Sequence, residues 1–186
     1  MRLRLGVLAI VMVLVAAACG GDDGGDTASE GGGDLDGGNT ATTVAKDECE
    51  GKTLTSPEVG VTDKQITVTV LADVDNPIKP ALFEGSWNGV EAWADYMNAN
   101  GGLACREIVV KKRDSKLSGE EAKNAAAAAC GDSVAMVGTT ALFLQDVSGM
   151  EGCKDKAGKA TGIPDIADLQ TEAAHQCSEI SFATLP

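Results

Sequence analysis

Residues 47–186 predict an α/β fold with a doubly wound, mostly parallel sheet. Three observations carry that prediction. Runs rich in β-branched residues alternate with amphipathic or alanine-rich stretches. The connections between them are short, and the run 133–138 (SVAMVG) is apolar without a break. Uninterrupted apolar strands belong to parallel sheets covered on both faces, and strand–helix repetition supplies the cover.

The elements follow in order. Residues 65–72 (QITVTVLA) read as a strand. Two prolines make 73–80 (DVDNPIKP) a loop. Between 85 and 100 the period turns helical, with Val90, Ala94 and Met97 on one face and Trp87, Trp93 and Tyr96 beside them. Asn100-Gly101-Gly102 stops that helix, because glycine adopts the left-handed cap conformation. Residues 106–113 (REIVVKKR) form the second strand, and Ser118-Gly119-Glu120-Glu121 is a capping box opening an alanine-rich helix to Cys130. After the strand at 133–138 come a helix at 141–154 and strands at 163–167 and 180–184. In such sheets ligands sit beyond the carboxyl ends of the strands. The loops there are 73–84, 114–118, 139–142 and 168–172.

The start of the chain is of another kind. Arg2 and Arg4 precede an apolar stretch at 5–18, and Ala16-Ala17-Ala18 stands directly before Cys19. That is the layout of a secretory signal with its cleavage site. The cysteine after the small residues resembles a bacterial lipobox, in which Cys19 is lipidated and becomes the new N-terminus. A membrane-spanning anchor is the alternative, but it needs about 20 apolar residues. Residues 20–46 hold nine Gly, six Asp or Glu and one Lys. They cannot bury enough apolar surface to offset their ordering entropy, so they are expected to form a disordered tether. The expected protein is extracytoplasmic and lipid-anchored to the outer face of the cell membrane.

Composition excludes several partners. Removing residues 1–18 takes two of 15 basic residues and none of 28 acidic ones, which leaves a net charge of −15. Nucleic acid and anionic lipid both select for basic surfaces, so neither is an expected partner of the folded part. Aromatic residues make up 3% of the chain, which leaves no stacking platform. Five cysteines fall in the folded part, at 49, 105, 130, 153 and 177. In an oxidising compartment they are disulfide candidates. Cys105 opens the second strand and Cys130 ends the helix returning beside it, so these two are expected to pair. Closing that loop of about 25 residues is worth on the order of 3 kcal/mol. Cys153 with Cys177 is the second expected pair, leaving Cys49 over.

Metal, cofactor and catalytic signals are weak. There is no CxxC, and the only histidine, His175, stands two residues before Cys177, so no metal or cofactor is expected. Phosphate-binding loops of the GxxxxGK[ST] and GxGxxG kinds are missing, as is a GxSxG elbow. His175 reads as a solvated or capping residue. Asp114, at a strand end, offers a general base, with helix capping the commoner role. The chain is not expected to be an enzyme.

Three segments carry a resemblance: GVTDKQITVTVLAD (60–73), GVEAWADYMNANGGLACREIVVKKRDS (89–115) and VAMVGTTA (134–141). Together they resemble the Leu/Ile/Val-binding family of substrate-binding lipoproteins, which serve ABC importers and have the type I periplasmic-binding fold. The most specific part is the helix ending in N-A-x-G-G, then an R-x-[IV] strand and an Asp. The resemblance covers roughly 60–186 and implies the first lobe of a two-lobed protein, truncated, so that one lobe alone is expected to bind its solute weakly. It implies a small-molecule solute, such as an amino acid, held between closing lobes and passed to a membrane permease. The family's binding positions fall on Phe83, Thr139, Thr140 and Thr171. Ala141-Leu142-Phe143 stand where the family's serines are expected. An extracytoplasmic sensor lobe and an inactive fragment are the alternatives.

Overall fold

A computed structural model describes residues 49–185. The expected signal sequence, Cys19 and the tether lie outside the described residues.

Gln65–Ala72 forms β1, whose β-branched residues alternate between the two faces of a sheet. Glu84–Ala99 is α1 and buries the expected stripe of Val90, Ala94 and Met97. Gly101 and Gly102 take positive φ, and the Gly102 N–H donates to the Met97 carbonyl at 2.8 Å, closing the helix end. A side chain at Gly102 would meet the Arg106 carbonyl oxygen at 2.1 Å, so the turn requires glycine. Glu107–Asp114 is β2. Gly119–Ala129 is α2, and its capping Ser118 hydroxyl accepts from the Glu121 N–H. The remaining elements are β3 (Ala135–Thr139), α3 (Ser148–Glu151), β4 (Asp165–Ala167), α4 (Ala173–Gln176) and β5 (Ser181–Ala183).

All strand pairs are parallel, and the order is β2-β1-β3-β4-β5. The α/β, doubly wound reading therefore holds. The chain winds outward from β1 to β2, then reverses to β3, which puts the topological switch between β1 and β3. Right-handed crossovers in opposite directions put α1 and α2 on opposite faces. Ile66, Val68 and Ile108 pack with Ala94 and Met97 of α1 on one face. Leu71 and Met136 pack with Ala122, Ala126 and Ala129 of α2 on the other.

The reversal corrects the cysteine pairing. Cys105 arrives from α1 and Cys130 ends α2, so the sheet lies between them. Cys105 is joined instead to Cys49, and Cys130 to Cys153, with Cα–Cα distances of 5.4 and 5.3 Å. Cys177 is free and exposed, so the expected Cys153–Cys177 bond is not formed either. Two disulfides are what an oxidising, non-cytoplasmic compartment sustains. No helix among the described residues is long and apolar enough to cross a membrane.

The expected helix at 141–154 is reduced to the single turn of α3. Asp146 explains the late start, since its carboxylate accepts from the Ser148 N–H and hydroxyl and begins a helix there. The Lys123 ammonium at 2.5 Å and the Ser148 bonds hold that carboxyl well below the usual carboxylate range. Gly149 and Gly152 then lower helix propensity within two turns.

Candidate functional site

The carboxyl ends of β1 and β3 meet at the switch point, and one buried carboxylate organises them. Asp73 follows β1 directly and is fully buried. Its Oδ1 accepts from the Ser115 hydroxyl at 2.6 Å and the Leu117 N–H at 2.7 Å. Its Oδ2 accepts from the Leu142 N–H at 2.8 Å. One side chain thus ties the loops after β1, β2 and β3 together. Asp114 does similar work at the end of β2. It accepts from the N–H groups of Val74, Asp75 and Lys116 at 3.0, 2.8 and 2.8 Å. Those bonds occupy both of its oxygens with backbone donors, which is a loop-capping role. Lys116 and Leu117 take left-handed φ of 52° and 57°. That conformation costs each about 1–2 kcal/mol, and the hydrogen bonds to the two aspartates hold it.

The four expected ligand residues fall on this edge in different settings. Thr139 is fully buried and its hydroxyl donates to Asp165 Oδ1 at 2.7 Å, inside the sheet. A bulge explains its inward turn. The β3–β4 register shifts between Val137 and Thr139, at Gly138, so Thr139 points to the α2 face. Thr140 is also buried, and its hydroxyl donates to Ser86 Oγ at 3.2 Å. Thr171 is exposed and its hydroxyl donates to the Leu142 carbonyl. Phe83 is half-buried at the start of α1, and its N–H donates to the Asp73 carbonyl at 3.2 Å. The structure therefore brings Thr140 to the mouth of α1, places Thr171 on the rim and folds Thr139 into the interior.

Beside this edge, on the α1 face, lies a pocket of about 310 Å³. Val90 and Trp93 of α1 form one wall, and Val137 and Ile166 form the other. Gly85, Gly89 and Gly138 keep it open. Gly138 has a φ of 70°, and a Cβ there would meet Val90 Cγ2 at 2.9 Å and Asp168 Oδ2 at 3.6 Å. The polar groups are few: Ser86, Asp168 and Thr184. Few polar groups in a mostly apolar cleft is the usual make-up of a small-molecule site. A second pocket, of about 270 Å³, opens at the amino end of the sheet against the Cys130–Cys153 bond. The carboxyl-end pocket is favoured because it adjoins the switch point.

His175 corrects the sequence reading. It is fully buried on α4, and its Nε2 lies 2.6 Å from Asp165 Oδ2. Thr139 and Ser181 complete the contacts of that carboxylate. The His175 Nδ1 is buried without a partner, so neither ring nitrogen faces solvent. The cluster fastens α4 and β5 to β4. Among the described residues no group of three His, Cys, Asp or Glu stands close enough to hold a metal ion.

Comparison of the chain with models of protein families, with curated proteins and with solved structures finds no match.

Sequence reasoning missed Asp73, Ser86 and Asp168. Asp73 carried a legible signal, since a carboxylate directly after a central apolar strand faces the edge where loops converge. Ser86 and Asp168 carried none, because their roles depend on α1 leaning over β3 and β4.

Proposed function

We propose that this chain is an extracytoplasmic solute-binding protein that delivers a small molecule to an ABC permease. The observation that carries the reading is the pocket at the carboxyl end of a parallel 2-1-3-4-5 sheet, adjoining its switch point. The resemblance of roughly residues 60–186 to the Leu/Ile/Val-binding family gives the reading its specific form. Its site is a one-sided cleft: α1 and the sheet make one wall and floor, and the outer strands leave the rest open. Closure by a second lobe would desolvate the solute and bring its burial to the roughly 70% or more that ligand pockets typically reach.

The disulfides support an exported protein. Cys49, joined to Cys105, sets the entry of the chain just before β2, at the amino end of the sheet. A lipid-bearing Cys19 with its acidic tether would then hold the domain from the end opposite the pocket. Two or more acyl chains satisfy the requirement for stable attachment.

Uptake measurements in the bacterium carrying the gene test the reading. Deletion is expected to slow uptake of at least one small solute, with rescue by the wild-type gene. Cys19→Ala is expected to release the protein from the membrane fraction and to fail in rescue. Unchanged uptake of every solute in a broad panel of amino acids, amines, amides and sugars would overturn the reading.

A further inference from the structure

We propose that the pocket on the α1 face takes a ligand with one ammonium group on a compact apolar body, with Asp168 as its counter-charge. The inference deepens the solute-binding reading and rests on it. Asp168 stands at the carboxyl end of β4, and its N–H donates to the Thr139 carbonyl at 3.1 Å, which fixes its backbone. The Thr184 hydroxyl lies 3.2 Å from both its Oδ1 and the Ala167 carbonyl and shares one proton between them. Asp168 Oδ2 faces the space above Gly138, 3.6 Å from where a side chain there would begin. Among the described residues no Lys, Arg or His forms an ion pair with it.

A half-buried carboxylate against Val90, Trp93, Val137 and Ile166 loses solvation and gains no cation in return. An ammonium group on the ligand supplies the missing partner through a charge-assisted hydrogen bond. A ligand carboxylate would instead face the like charge of Asp168. A divalent metal is disfavoured because the site offers a single carboxylate, whereas Ca2+ takes about six to eight oxygens and a structural Zn2+ takes four protein ligands. The rest of the pocket is apolar and small, which selects a short aliphatic body. Ser86 adds a hydroxyl to the pocket wall, 3.2 Å from the Thr140 hydroxyl, that can orient a polar group.

The test is an amide chemical-shift titration of the whole chain with n-butylammonium, butyrate and n-butanol at neutral pH. Butylammonium is expected to move the amides of Gly85, Gly89, Gly138 and Asp168, with at least tenfold tighter binding than butyrate. Asp168→Asn is expected to weaken butylammonium tenfold and to erase its advantage over butanol. Gly89 sits on the helix with open space around it, so Gly89→Leu fills the pocket without backbone strain and is expected to abolish the shifts. Dispersed spectra of both variants establish that they fold. Butyrate binding as well as butylammonium, an unchanged affinity in Asp168→Asn, or no shift at these amides up to saturating probe would each overturn the assignment. Shifts confined to the Leu142 and Thr171 rim with a non-amine solute would overturn it and leave the solute-binding reading standing. Loss of that reading itself is registered separately, by unchanged uptake on deletion.

Discussion

The two faces of the sheet differ in how completely they are covered. On the α2 face, Leu71, Met136, Leu144 and Met150 are fully buried, and the Cys130–Cys153 bond ties α2 to the chain beyond α3. His175 of α4 closes the same face over Asp165 of β4. On the α1 face, one helix covers β1, β2 and part of β3. Beyond it Val137, Ile166 and Phe182 stand in register across three neighbouring strands. Ile166 is 45% and Phe182 58% exposed. The covered face pairs its buried Asp165 carboxylate with His175 Nε2 and two hydroxyls. The open face leaves Asp168 and an apolar row to be completed by something else. Stability and recognition are thus expected to separate by face.

The largest effect should come from His175. His175→Ala removes one member of a buried charged or polar pair and leaves Asp165 with only hydroxyl partners. Breaking such a pair costs about 3–5 kcal/mol. Urea unfolding followed by far-ultraviolet dichroism reads it directly as a fall in the midpoint. A loss under about 1 kcal/mol would mean that the α2 face is not held by this cluster.

That cluster was illegible in the sequence, while much else was not. Val90, Ala94 and Met97 announce their face by period alone, and Ser118 its cap by a three-residue spacing. Both signals are local, and the structure keeps them. His175 and Asp165 lie on different elements, and nothing near either residue marks the other. The pairing of cysteines was misjudged for a topological reason: both candidates lie at the same end of the sheet, but on opposite faces once the winding reverses. Thr139 was misjudged for a local one. A single bulge at Gly138 inverts the facing of every residue after it, and a strand pattern of period two carries no trace of that insertion. The candidate site suffered most because Ser86 and Asp168 meet only through packing.

A smaller effect sits at the amino end. Asp132 bonds Lys111 and Arg113, each at 2.7 Å. Partial burial pushes its carboxyl up, but the bonds from Lys111, Arg113 and Ser133 outweigh that and hold it below the ordinary carboxylate value. A carboxyl lowered on folding binds its proton more tightly in the unfolded chain. Its contribution is therefore present above about pH 4 and lost as the pH falls through the lowered folded value. Asp132→Asn should cost about 1 kcal/mol at pH 6 and progressively less below pH 4. Urea midpoints of both proteins across that range check it, and a difference constant with pH would show that the pair adds no charge-dependent stability.

The smallest effect should be on the open face, and it is the sharpest test of the contrast. Ile166→Ser and Phe182→Ser each remove an apolar side chain that is already about half in water. Substitutions away from a packed core usually stay within about 0.5 kcal/mol. A buried isoleucine or phenylalanine cut back to a small residue would cost several times more, because a cavity adds to the lost transfer energy. An unchanged urea midpoint with slower aggregation by light scattering is the expected result, since the row Val137–Ile166–Phe182 is an apolar surface left largely bare on the sheet. A cost above about 2 kcal/mol from either change would mean that the row is covered in solution. The difference between the two faces would then belong to the isolated domain and not to the protein as it works.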